Sequence, residues 1–243
     1  NVISTLLKNG LYPYTACYLT DFDNHFSSIG VIGMNEAGLN AQWLKAGLES
    51  EETKKFAVSV LNHMREKLIG YQMEYGNLYG LEATPAESAT FRFARLDRER
   101  FSGIRTAGHE GDTPYYTNST KLPADYDGTL QGALINQDSL QPLYTTGTVF
   151  HVYMERELED WKKARDLLSS MITEHHIPCF TLSPVYTICQ TCGYLPGRQE
   201  RCPKCNGAAD VYSRIAGYYR PVHDWNDGKA QEFRNRIMFR IGE

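Results

Sequence analysis

The chain has 243 residues, of which 42% are hydrophobic and 22% charged, and a formal net charge of -4. That length suits one large domain, or one domain with a small appendage, and the composition is that of a globular protein. The acidic balance gives no basic field for direct nucleic-acid binding, and no apolar run approaches the ~18 residues of a membrane span.

Asn1-Val2-Ile3-Ser4 carry no initiator Met and read like the middle of something larger or a trimmed product. No basic start leading to an apolar stretch and a small-residue cleavage site is visible, so a cytoplasmic location is expected. Phe26 to Glu36 read as a strand leaving into a glycine-punctuated turn. Ser50, followed by Glu51 and Glu52, predicts a helix start, and Ala57, Leu61, Met64, Leu68 and Tyr71 recur at helical spacing until Gly76.

Leu78 to Glu87 predict a short strand broken by Pro85, and a second helix follows with Phe91, Phe93 and a basic face of Arg92, Arg95, Arg98 and Arg100. Residues 102–142 are rich in Gly, Thr, Asp, Asn and Pro and read as long loops. Thr146 to Tyr153 predict a buried strand. A helix from about Glu157 to His175 follows, with Leu158, Trp161, Ala164, Leu168 and Met171 on one face. Ile177 to Ser183 then predict another strand. Strand, helix, strand with crossovers of this length is α/β grammar with parallel pairing.

Cys17 and Cys179 stand alone among apolar or aromatic neighbours and read as buried, inert thiols. The other four cysteines fall within seventeen residues, as Cys189-Gln190-Thr191-Cys192 and Cys202-Pro203-Lys204-Cys205. The two-residue spacer lets both thiolates of a pair wrap one ion, and two such knuckles complete a tetrahedral site. Four thiolates leave no open position, so the metal is structural; zinc leads and rubredoxin-like iron is the alternative.

Beyond Cys205 runs Ser213-Arg214-Ile215-Ala216-Gly217-Tyr218-Tyr219-Arg220-Pro221, then Trp225-Asn226-Asp227-Gly228-Lys229 and a charged tail. Taken alone, Gly217 reads as a turn glycine. An Arg, two residues and Gly-Tyr, with Cys-x-x-Cys pairs upstream and Asn-Asp-Gly-Lys downstream, resembles the glycyl-radical signature of the anaerobic (class III) ribonucleotide reductases. Phe26 to Glu36, Glu82 to Glu87, Tyr115 to Thr120 and Gly147 to His151 also look like that family.

The resemblance implies the carboxy-terminal part of a ten-stranded α/β barrel over residues 1–183, a metal segment over 184–208, and a glycyl radical loop and tail over 209–243. It implies a structural zinc and a radical stored on Gly217. A separate radical-SAM activase, using S-adenosylmethionine and its own 4Fe-4S cluster, would generate that radical. It further implies a ribonucleotide substrate, a homodimer of the full enzyme, and an amino-terminal part supplying the thiyl cysteine and the regulatory nucleotide site. Neither Cys17 nor Cys179 matches that cysteine, so inactivity of this chain alone is expected. Glu82 and Glu87 fit either an acid or base at a barrel strand end or helix-cap carboxylates. Asn118 and Ser119 fit either substrate contacts or loop capping. A non-catalytic zinc-ribbon module and another glycyl radical enzyme remain the alternatives, the four-cysteine knuckle arguing against the latter.

Overall fold

The computed structural model describes residues 2–19, 22–158 and 160–241. Two short helices, α1 (Val2–Lys8) and α2 (Pro13–Tyr18), precede strand β1 (Ser27–Ile29). Helix α3 (Met34–Asn40) follows where the sequence read as a turn. Its inward face is polar, which hides the helical period: Asn35 and Glu36 are buried, and Asn35 Oδ1 accepts the Leu48 N–H at 2.9 Å.

Helix α4 (Glu51–Tyr75) forms as its sequence predicts. The Ser50 side chain caps it by accepting the Thr53 N–H at 3.5 Å, and two acidic residues occupy the first turn, where the helix dipole favours them. Ala57, Leu61 and Leu68 turn inward against Met34, Leu48 and Leu140, and against Leu81 of strand β2 (Tyr79–Leu81). Helix α5 (Glu87–Arg100) also matches expectation.

Within the stretch read as loops, residues 130–138 form helix α6 (Leu130–Asp138), capped by Thr129, whose hydroxyl accepts the Gly132 N–H at 3.0 Å. Nine residues with Gln137 on the buried side are too few and too polar to show a period. Strand β3 (Phe150–Met154), helix α7 (Trp161–Glu174) and strand β4 (Phe180–Pro184) complete the predicted strand-helix-strand unit. α7 begins at Trp161, beyond Leu158, because the Asp160 carboxylate caps the Lys162 N–H at 2.8 Å. Trp161 is exposed and Met171 is the residue of α7 that is fully buried; Glu159, inside the predicted helix, lies outside the described residues.

β1 pairs with β2 and β3 with β4, both parallel, in register Ser27↔Tyr79 and Phe150↔Phe180. A parallel bridge between Glu82 and Gly147 joins the two pairs, so four strands run the same way with helices as their crossovers. No helix among the described residues is long and apolar enough to cross a membrane. Cys17 and Cys179 are exposed, not buried as their neighbours suggested: α2, which carries Cys17, buries none of its residues, and Cys179 lies just ahead of β4.

The remainder is a second layer. Strands β5 (Tyr186–Cys189), β6 (Gly193–Pro196), β7 (Ala209–Arg214) and β8 (Tyr219–Pro221) form an antiparallel sheet in the order β6-β5-β7-β8. Helix α8 (Asp227–Asn235) then folds back onto α5. Gly228 permits that approach, since a Cβ there would lie 2.6 Å from Phe91 Cβ. Trp225 and Phe233 meet edge to face, 5.6 Å between centroids, and pack with Val185 and Ile215 beneath the sheet.

Leu61, fully buried in the first core, provides the check on this packing. Leu61→Ala is expected to lower stability by about 2–5 kcal/mol, read as a lower urea midpoint at unchanged slope.

Candidate active site and metal centre

The two knuckles close on each other because β5 ends at Cys189 and turns tightly into β6, while residues 202–207 form a second turn returning to β7. All four sulfur atoms lie within 4.8 Å of one another, and Cys189 Sγ is 3.6 Å from Cys205 Sγ. A tetrahedron with ~2.3 Å zinc–sulfur bonds has edges of ~3.8 Å, whereas a disulfide needs ~2.05 Å, so the group fits a metal and not a bridge. The Cys192 N–H points at Cys189 Sγ at 3.4 Å. Burial pushes the Cys202 thiol up, but backbone N–H groups of Cys205 and Lys204 outweigh it and bring it down to about 6. Such N–H donors favour the thiolate that a metal takes.

A cavity of about 310 Å³ opens where the parallel strands meet the second layer. Glu82, Asn118, Lys121, His151 and Tyr153 line it from the strand layer, and Ala216, Gly217, Glu232 and Arg236 line it from the tail. The structure thus brings Gly217, Glu82 and Asn118 to one cavity. Ser119 does not line the cavity; it is fully buried with φ 49°, and its carbonyl accepts the Met34 N–H at 3.3 Å. Glu87 lies outside the lining, at the first turn of α5, where the Tyr218 hydroxyl donates to its carboxylate at 3.5 Å and Asn226 Nδ2 to its carbonyl at 3.1 Å.

Gly217 occupies the turn between β7 and β8, closed by Ile215 N–H to Tyr218 carbonyl at 3.1 Å. A turn glycine normally answers a need for positive φ or for close approach. Gly217 answers neither: it is absent from the positive-φ glycines, and a Cβ built on it meets nothing within 4 Å. The backbone leaves room for a side chain that the sequence withholds. Arg214, the first residue of the motif, donates from Nη1 to the Gly217 carbonyl at 2.6 Å and from Nε to Ser183 Oγ at 3.1 Å.

Sequence reasoning did not single out the charged cluster that fixes the tail. Lys229 Nζ, fully buried, donates to Glu232 Oε2 at 2.5 Å and to Asn118 Oδ1 at 3.1 Å. Arg236 donates to Glu232 Oε1 at 3.0 Å and stacks its guanidinium 3.7 Å from the centroid of Tyr153. Burial works to raise the Glu232 carboxyl, but the two cations outweigh it and hold it below the usual carboxylate range. The signal was present as the spacing of Lys229, Glu232 and Arg236, three and four residues apart on one helix face, inside what read as a charged tail. Burial, and next the nearby Lys229, draw the Lys121 amine down to about 8. Burial and the cations Lys121, Arg214 and Arg236 push His151 down to about 2, so its ring is neutral.

A family profile described as anaerobic ribonucleoside-triphosphate reductase matches residues 1–239. The anaerobic ribonucleoside-triphosphate reductase of Haemophilus influenzae is 25% identical over 222 residues, 86% of this chain and 31% of its own length. That of bacteriophage T4 is 25% identical over 194 residues, 73% of this chain and 30% of its own. Among solved structures, an anaerobic ribonucleotide reductase superposes with a TM-score of 0.77 at 22% identity, over 98% of this chain and 38% of that one. The Thermotoga maritima enzyme in complex with dATP and CTP gives 0.74 at 22%, over 95% and 37%. At these identities the structural likeness speaks for the fold, and the chain spans about a third of the length of its curated relatives.

Two measurements check the site. Cys202→Ser is expected to reduce bound zinc or iron from about one equivalent per chain to well below it, read by metal analysis under reducing conditions. Glu232→Gln strands two buried cations and is expected to cost about 3–5 kcal/mol at pH 7. Because the folded carboxyl titrates below its unfolded value of ~4.3, its stabilisation is present above that pH and fades as pH falls through the depressed value. The gap between wild type and variant should therefore narrow below about pH 4 in pH-dependent urea melts.

Proposed function

Since the chain belongs to the anaerobic ribonucleoside-triphosphate reductase family, we propose that it is the carboxy-terminal part of an enzyme reducing ribonucleotides to deoxyribonucleotides, with Gly217 storing the radical. The observation that carries this is the glycine whose backbone does not need to be glycine, set in the wall of the cavity that also holds Glu82 and Asn118. A Cα-centred radical is stabilised by donation from the amide nitrogen and withdrawal by the carbonyl, which requires a planar carbon. A side chain would oppose that planarity and block the activating group.

In this reading a radical-SAM activase, working with S-adenosylmethionine and its own 4Fe-4S cluster, removes one hydrogen atom from Gly217 Cα. The radical then passes to a cysteine in the amino-terminal part of the enzyme, whose thiyl removes the 3′ hydrogen of the ribonucleotide so that the 2′ hydroxyl leaves as water. An external two-electron reductant, formate or a small thiol protein, then supplies the electrons and hydrogen that complete the deoxyribonucleotide. The four parallel strands are the last part of a ten-stranded barrel. Glu82, at a strand end on the cavity wall, is placed to exchange a proton with the departing hydroxyl. Glu87 acts from outside, through Tyr218 and Asn226, on the turn that bears Gly217. Asn118, held by Lys229, offers its amide to the ribose. Cys189, Cys192, Cys202 and Cys205 hold the structural metal that anchors the glycyl hairpin. The assembled enzyme is a cytoplasmic homodimer, and residues 1–243 alone do not turn over.

The test is Gly217→Ala in the assembled, oxygen-free enzyme. Removing chain freedom in the unfolded state should leave stability equal or raise it by about 0.4–1 kcal/mol. The EPR doublet near g = 2 given by wild type with activase and S-adenosylmethionine should vanish, together with nucleotide reduction and oxygen-dependent cleavage at residue 217. A variant that retained the doublet would remove the proposal.

A further inference from the structure

The carbonyl of Gly217 is held by more than its own turn. His151 Nδ1 lies 2.8 Å from Thr181 Oγ1, Thr181 Oγ1 lies 2.9 Å from Ser183 Oγ, and Arg214 Nε donates to Ser183 Oγ at 3.1 Å. Arg214 Nη1 then reaches the Gly217 carbonyl at 2.6 Å. The chain of contacts thus runs from the His151 ring to the Gly217 carbonyl. It joins β3, β4 and β7, through residues that show no such connection in sequence.

We infer that Arg214 tunes the electronic character of Gly217, and that Ser183, Thr181 and His151 are positioning residues that aim its guanidinium at the Gly217 carbonyl. The inference rests on the proposed radical at Gly217. A cationic donor on a carbonyl oxygen makes that carbonyl a stronger electron acceptor, and a charge-assisted hydrogen bond is roughly twice as strong as a neutral one. After one hydrogen atom leaves Gly217 Cα, the stronger acceptor draws unpaired spin from carbon toward oxygen. The remaining α-hydrogen then feels less spin, and the radical is harder to quench. A fixed fork donor suits this better than an ammonium on a flexible stem, because Arg214 satisfies Ser183 and Gly217 at once with separate nitrogens. Tyr219, 4.8 Å beneath the guanidinium, stacks against it.

The experiment is EPR on the assembled, activated enzyme carrying Arg214→Gln, Arg214→Lys or Ser183→Ala. Wild type sets the reference splitting of the α-hydrogen doublet. Arg214→Gln should widen that splitting and shorten radical lifetime, with Arg214→Lys and Ser183→Ala between it and wild type. A splitting in Arg214→Gln equal to that of wild type overturns the inference while leaving the radical reading in place. If the Arg214 variants fail to fold or to activate, Ser183→Ala decides: a shifted splitting supports the inference and an unchanged one sinks it. No doublet in wild type overturns the radical reading itself. Infrared spectroscopy of the unactivated protein with carbon-13 at the Gly217 carbonyl separates the two failures, because loss of the Arg214 donor should raise that carbonyl's stretching frequency whether or not a radical forms there.

Discussion

One buried carboxylate fastens the two layers together. Glu232 lies between Lys229 and Arg236, and each of those cations also makes a contact in the strand layer: Lys229 with Asn118, Arg236 with the ring of Tyr153. Neither cation would be tolerated in that position without the carboxylate, and the carboxylate would not remain ionised without them. The strand-layer wall and the tail wall of the cavity are therefore set relative to each other by charge balance as much as by the apolar contacts of Trp225 and Phe233.

The metal knuckle and the Gly217 turn are linked by the same economy of parts. Cys189 closes β5, and β5 lies in register with β7 from Cys189↔Ala209 to Tyr186↔Tyr212. β7 ends at Arg214, whose guanidinium meets the Gly217 carbonyl. A metal held by the four thiolates would stiffen one end of the ladder that leads to the turn, and stacked Tyr186 and Tyr212, 5.3 Å apart, lie along it.

Much of this was legible in the sequence. The long helix α4 shows itself because its cap, its apolar stripe and its terminal glycine all agree, and the four cysteines because thiolate spacing has few other meanings. What stayed hidden was written in polar residues. α3 buries Asn35 and Glu36, with the Glu36 carboxylate taking the Thr117 hydroxyl at 2.7 Å, so no apolar period betrays it. The Lys229 cluster looks like a solvated tail until the fold supplies its partners. Glu82, Asn118 and Gly217 were named from the sequence, but their shared cavity was not, since proximity between residues so far apart along the chain leaves no local trace. Ser119 and Glu87 show the reverse case: neighbours in sequence to cavity residues, they face elsewhere.

The order of strands in the second layer puts β8, like β6, at an edge. β8 is three residues long, with β7 as its sole strand neighbour among the described residues. An outward swing of the Gly217 turn would break this short seam and leave the cysteine cluster and the parallel strands in place. It would also draw Ile215, buried with Val185, Trp225 and Phe233, out of the core beneath the sheet.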